Sequence, residues 1–293
     1  MSQITSSGYR RQTTVAEPVC IDGTALHSGD AVSLRLVPAK AGSGFVFLRT
    51  DLGYARIPAR VDRVVETRLG TCIADENGAS MKTIEHMLAA FVFAGIDNAD
   101  IEINGPEPPI LDGSAHDIMI LLDRAGRREL DISHQPMALD DALELQDADR
   151  YIRYEPSDDR ILTVTIEFAD SAIGKQTVVV DLDDEDFVRQ RLAPARTFCR
   201  RADIDAMRSA GLARGGSLEN AIVVDGDKIL NDGGLRDPKE FALHKALDVV
   251  GDLALIGAEI RGRIAAHKPG HDLNTAFARK FVDRVQDGAL TNL

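Results

Sequence analysis

The sequence is poor in cysteine, in aromatic residues, in positive charge and in long apolar runs, and most of these shortages exclude something. Only three of the 293 residues are cysteines, Cys20, Cys72 and Cys199, far apart and without a C-x-x-C pair. That argues against a disulfide framework or a cysteine-based zinc finger, and fits a reducing compartment. Lys and Arg number 34 against 47 Asp and Glu, a net charge of -13. Polyanion binders draw their affinity from clustered Lys and Arg, so a general nucleic-acid binder is excluded. The longest apolar stretches, such as Met87 to Ala94, fall far short of the ~18 residues of a membrane-spanning helix. The start, MSQITSSGYRRQTT, lacks the apolar core of a secretory signal. A cytoplasmic chain without a transmembrane segment is the expectation. What is present is ordinary: 44% hydrophobic and 28% charged residues describe a folded globular protein. The length fits one large or two medium domains at ~150 residues each.

Hydrophobic periodicity divides the chain into elements. Residues 31–38, 45–49 and 69–74 read as strands. A helix runs from about Thr83, a plausible N-cap, to Ala94, with Gly95 as its left-handed stop. A strand at 98–104, the loop GPEPPILDGS and a helix from about Ser114 to Arg124 follow. A polar stretch sets the domain boundary near 130. Strands at 151–155, 161–168 and 176–181 open the second half. A segment rich in Arg and Gly interrupts it before a strand at 220–224. A long helix, 239–256, ends at Gly257, followed by a strand at 259–266, a loop with Gly270 and a closing helix from about Asp272. Both halves therefore end alike, in helix, glycine stop, strand, loop and helix. The pattern predicts an α+β fold of two similar domains, 1–130 and 131–293, each a sheet with two helices on one side.

The helix 239–256 is the most informative element. At ~100° per residue, His244, Asp248 and Asp252 fall within one ~80° arc, with Lys245 beside them and apolar residues nearly everywhere else. A buried stripe of that kind is unfavourable unless it is paired or coordinated. It reads either as a metal half-site, His-x3-Asp, or as a solvated stripe or buried ion pair. Glu85-His86 opens the earlier helix. His86, His244 and Asp248 would form a two-His, one-carboxylate zinc set with an open fourth position, and Glu85 could take a proton from water. For the isolated pair, the plainer alternative is a carboxylate at a helix N-terminus. In HKPGH (267–271), Gly270 allows a tight turn. His271, held protonated by a carboxylate such as Asp252, could donate a proton or stabilise an oxyanion; alone, it reads as a loop residue. Arg196-Thr197-Phe198 sets a hydroxyl beside an aromatic, or is simply a strand end. His27, His116 and His134 read as surface or structural, with His116 the strongest decoy for a ligand.

Taken in order, GTALHSGDAVSLRLVPA, ETRLGT, TIEH, GIDNADIEINGPEPPILDGSA, ARTF, GLARGGSLENAIV, LRDPKEFALHKALDVVGDL and HKPGHDLN resemble the UDP-3-O-acyl-N-acetylglucosamine deacetylase (LpxC) family over nearly the whole chain. The resemblance implies two β-α-α-β sandwich domains meeting at an active site that hydrolyses the 2-acetamido group of acylated UDP-GlcNAc, the committed step of lipid A synthesis. It implies one Zn2+ on His86, His244 and Asp248, a donor set that also accepts Fe2+. It gives Glu85 as general base, His271 as cationic stabiliser and general acid oriented by Asp252, and Thr197 as oxyanion donor. Phe198, Phe168, Lys245 and Gly270 fall at the substrate, and a monomer is expected. Two departures stand out. Arg200 and Arg201 follow A-R-T-F where the family has apolar residues around an acyl passage, and FADSAIGKQ lacks the family's His-Pro pair. Another zinc amidase, or a non-catalytic metal-binding homologue, remains the alternative.

Overall fold

Alternating burial along Ala31–Pro38 puts one face of that strand on the core and the other in water, and the same logic builds two sheets. A computed structural model describes residues 10–291, with side chains through residue 288. The first sheet contains β1 (Val19–Thr24), β2 (Ala31–Pro38), β3 (Phe45–Arg49), β4 (Ala55–Pro58) and β5 (Ala99–Ile103), in the order β1-β2-β5-β3-β4. Neighbours are antiparallel except β3 and β5, which are parallel. The second contains β6 (Leu143–Asp147), β7 (Arg150–Glu155), β8 (Arg160–Glu167), β9 (Lys175–Asp181) and β10 (Gly262–His267), in the order β6-β7-β10-β8-β9. Here β8 and β10 are the parallel pair. Order and polarity are thus repeated strand for strand, and the fold class is α+β.

Helices α1 (Glu85–Phe93) and α2 (His116–Ala125) flank β5 in sequence. Helix α3 (Arg201–Ser209) lies in an insertion, and α4 (Glu240–Leu253) and α5 (His271–Thr291) flank β10. Each half also carries a small three-stranded sheet at the same point of its chain order. One, formed by Val64–Glu66, Cys72–Ala74 and Ser80–Met81, precedes α1. The other, formed by Phe198–Arg200, Ile222–Asp225 and Lys228–Ile229, precedes α4. Strand Arg11–Val15 pairs with Arg127–Ser133, so the stretch around residue 130 is itself a paired strand.

The halves meet through α1 and α4, whose backbones approach closely because Gly251 has no side chain: a Cβ there would overlap the Glu85 carbonyl oxygen. That packing explains why α1 buries its first seven residues, Glu85 through Phe91, rather than one stripe. Three expectations need correction. Thr83 is not a cap: it has φ +52 and its hydroxyl bonds elsewhere, and Ile84 precedes α1 without a side-chain cap. The strand expected over 69–74 is only Cys72–Ala74, because Leu69 and Gly70 adopt positive φ (61 and 151). The Arg- and Gly-rich segment contains α3, none of whose residues is buried.

Candidate active site

The crossing of α1 over α4 brings together side chains more than 150 residues apart in sequence. His244 and Asp248 lie one turn apart on α4, with Nε2 of His244 3.3 Å from Asp248 Oδ1. His86, in the first turn of α1, puts its Nε2 3.7 Å from the same oxygen. The two imidazoles stand edge to face, 5.0 Å between centroids. All three residues are buried, and their donor atoms lie within 4.8 Å of one another. His244 Nδ1 donates to the Ala195 carbonyl (3.0 Å), which leaves the Nε2 lone pair facing the cluster. Burial, with the His244 ring beside it, pushes His86 down to about 3, so this imidazole too is a neutral donor.

Asp248 Oδ1 is buried and accepts no hydrogen bond, while Oδ2 accepts one from Lys245 Nζ at 2.8 Å. Burial alone would raise Asp248, yet the Lys245 and His271 cations hold it well below the usual carboxylate range. An ionised oxygen with no partner, between two imidazole lone pairs, fits a bound cation. Tetrahedral zinc ligands at ~2.0–2.1 Å would sit roughly 3.4 Å apart, close to the spacings seen.

A second group adjoins the first: Glu85, Asp252 and His271, again within 4.8 Å of one another. His271 is the first residue of α5. Its Nδ1 lies 2.9 Å from Asp252 Oδ2, and its Nε2 3.8 Å from Glu85 Oε1. Asp252 also accepts hydrogen bonds from Asn274 Nδ2 (2.8 Å) and the Thr71 hydroxyl, and Thr71 N–H donates to Glu85 Oε2 (2.9 Å). Burial works against the His271 cation, but Asp252 and Glu85 outweigh it and push the ring up to about 10. Burial pushes the Glu85 carboxyl up to about 7, against the pull of His271. The arrangement pairs a carboxylate able to accept a proton near neutrality with an imidazolium able to supply one.

Phe198, Lys245 and Gly270 adjoin these two groups, and Thr197 directly precedes Phe198. Thr197 is pinned by its backbone: its N–H donates to Gly113 O and its carbonyl accepts from Ile222 N–H (both 2.8 Å). Gly113 is required there, since a Cβ would overlap the Asn220 carbonyl. Phe198 stacks edge to face on Phe241 (4.9 Å) and Phe168 (5.5 Å), and its centroid is 6.2 Å from that of His244. Lys245 Nζ lies 6.0 Å from the Phe198 centroid. Gly270 precedes α5, where its carbonyl accepts from Asn274 N–H (2.8 Å). Lys268 is bound to Asp149 (2.7 Å) and Glu167 (3.2 Å). Arg200 pairs with Asp170 (2.8 Å). Thr71 and Asn274 were given no role by sequence, although both lie in the motifs ETRLGT and HKPGHDLN. His116, His27 and His134 stay outside both groups, and the last two are buried rather than on the surface.

Residues 12–283 match the family described as LpxC, UDP-3-O-acyl N-acetylglycosamine deacetylase. The chain belongs to this family. Relatives named UDP-3-O-acyl-N-acetylglucosamine deacetylase include one from Anaeromyxobacter sp. (strain Fw109-5), 46% identical over 94% of this chain and 89% of its own. A second, from Phenylobacterium zucineum (strain HLK1), is 42% identical over 93% of this chain and 94% of its own. A third, from Campylobacter lari (strain RM2100), is 38% identical over 92% and 91%. The family's deacetylase chemistry agrees with a site that pairs a metal-competent triad with a proton acceptor and a cation. No helix among the described residues is long and apolar enough to cross a membrane.

Proposed function

We propose that the chain is a zinc-dependent deacetylase that hydrolyses the 2-acetamido group of UDP-3-O-acyl-N-acetylglucosamine, giving acetate and UDP-3-O-acyl-glucosamine, a step committed to lipid A. The observation that carries this reading is the pair of adjoining groups: a buried His-His-Asp triad with an orphaned carboxylate oxygen, beside a Glu-His-Asp group.

His86, His244 and Asp248 would hold the metal, which would supply a Lewis acid for the amide carbonyl and lower the pKa of water towards neutrality. Glu85, steered by Thr71 N–H, takes a proton from the attacking water. His271, kept cationic by Asp252, faces the developing oxyanion and then supplies the proton with which the amine leaves. Thr197 adds a hydroxyl donor to the same oxyanion. Phe198 and Phe168 form the apolar wall beside the reacting group, and Lys245 contributes positive charge next to it. The turn before the helix that carries His271 has its left-handed residue at Lys268 (φ +49), while Gly270 leaves room for the Asp272 carboxylate. The complete donor set comes from one chain, so a monomer suffices, and three free cysteines fit a cytoplasmic setting.

The test is acetate release from the acylated UDP-sugar by protein carrying one zinc. Turnover should disappear with chelation and return with zinc. Undiminished turnover after complete metal removal would sink the zinc mechanism.

A further inference from the structure

We infer that Glu107, in the loop between β5 and α2, is a positioning residue that fixes the orientation of Glu85 from two sides. The inference rests on the reading of Glu85 as the base. Glu107 is 1% exposed, and among the described residues its hydrogen-bond donors are all neutral. Oε1 accepts from the Thr83 hydroxyl (2.7 Å) and from His27 N–H (3.2 Å); Oε2 accepts from His27 N–H (3.0 Å) and Ser28 N–H (3.4 Å). A buried carboxylate without a cation is unfavourable unless its oxygens are hydrogen-bonded, and here those bonds tie the segment before α1 to the loop at His27.

The first route runs through Thr83. A β-branched residue at φ +52 is strained and persists only where its surroundings enforce it. The hydroxyl bond to Glu107, with Lys82 N–H donating to Pro106 O (2.9 Å), supplies that constraint. Thr83 lies two residues before Glu85, and α1 has no side-chain cap, so this contact sets the angle at which α1 begins.

The second route runs through His27. Its main chain is fixed by Glu107, and its ring takes a defined tautomer. Nδ1 accepts from Ala213 N–H (3.3 Å), so Nε2 carries the proton and donates to the Leu69 carbonyl (3.1 Å). Leu69 and Gly70, both at positive φ, lead directly to Thr71, whose N–H steers Glu85 Oε2 and whose hydroxyl bonds Asp252. Gly70 fits tightly between the routes: a Cβ there would lie 3.2 Å from Glu85 Oε1 and 3.3 Å from Thr83 Oγ1. One carboxylate thus supports the base through the residues before it and through the loop that hydrogen-bonds it.

The experiment compares zinc-loaded wild type with Thr83→Val, Thr83→Ser and Glu107→Gln, together with amide exchange over residues 69–87 without substrate. Glutamine keeps the shape of Glu107 but turns an NH2 group towards N–H and O–H donors. A displacement of the base by ~1 Å lowers turnover about 10²-fold, and Glu107→Gln should approach that with KM little changed. Thr83→Val, near-isosteric but without the hydroxyl, should lose roughly 10-fold in kcat, while Thr83→Ser stays near wild type. Exchange should quicken at 69–71 and 83–87 in Glu107→Gln and at 83–87 in Thr83→Val. Equal turnover by the Val and Ser variants would overturn the inference, as would Glu107→Gln that lowers Tm yet keeps wild-type kcat and exchange. A wild-type chain that releases no acetate would instead sink the functional reading, and the exchange data would still decide the positioning role.

Discussion

The two halves share one frame, with the same strand order, the same parallel pair, a helix on either side of that pair's last strand in sequence, and a small sheet inserted before the first of those helices. Their chemistry is nevertheless unequal. The first half contributes His86 to one group and Glu85 to the other, from a single turn of α1. The second contributes His244 and Asp248 to the first group, and the Asp252–His271 pair to the second. Counted back from the glycines that end their helices, Gly95 and Gly257, His86 and Asp248 occupy the same position. Likewise, Asp97 and Glu259 fall at the same point beyond those glycines, and both flank His134, at 3.0 Å and 3.5 Å. The helices α2 and α5 begin with His116 and His271, but among the described residues only His271 lies within ion-pair distance of carboxylates there. A repeated scaffold can keep its backbone logic while its side chains diverge into different tasks, because the frame depends on periodic burial and the site on a few individual atoms.

Breaking this division of labour should have graded effects. Asp248→Ala removes the carboxylate shared by both imidazoles, and zinc content and turnover should vanish together; zinc retained at full stoichiometry by metal analysis would move the ligand elsewhere. Glu85→Ala touches the other half's contribution and should keep its zinc while turnover falls roughly 10²–10⁴-fold. If zinc leaves with it, Glu85 is a ligand and the halves are more alike than described. Gly251→Ala pushes a methyl into the Glu85 carbonyl and should destabilise by about 1–3 kcal/mol, read as a drop in Tm of ~2–4 °C per kcal/mol.

The smallest expected effect tests the linker. The Asp97 and Glu259 carboxylates beside it raise His134, so its stabilisation is present below the unfolded value of ~6.5 and is lost as pH climbs through the higher folded value. Despite burial, His134 holds both acids low, Glu259 at about 2, so their share persists until strongly acidic pH. His134→Gln should therefore lower stability by about 1 kcal/mol near pH 6. The gap should close as pH rises; one that widens instead would reverse the assignment.

What the sequence revealed follows burial. Strands β2, β3, β5, β7, β8, β9 and β10 and helices α1, α2, α4 and α5 carry strong apolar periodicity, and each was legible within a few residues. In the two five-stranded sheets the strands that escaped, β1, β4 and β6, are all sheet edges, and residues such as Asp22, Gly23, Glu144 and Gln146 blur their alternation. The metal triad could be framed from residue type and helical phase, because His244 and Asp248 lie on one face of one helix. Resemblance was needed to favour it over a buried ion pair and to give His271 and Thr197 their roles. Thr71, Glu107 and His27 escaped for a different reason: their roles come from hydrogen bonds across loops, and no periodicity records which loop faces which.

The contact between Gly251 and the Glu85 carbonyl has a mechanical consequence. Two backbones in van der Waals contact can rotate about their meeting point but cannot slide without collision. The crossing therefore fixes the register of α1 on α4, and it lies beside Glu85 and Asp252, which face His271 from the two helices. A slip of either helix along its axis meets a collision between main chains before any side chain has moved far. The distance from Glu85 to His271 is thus guarded by backbone bulk as well as by hydrogen bonds.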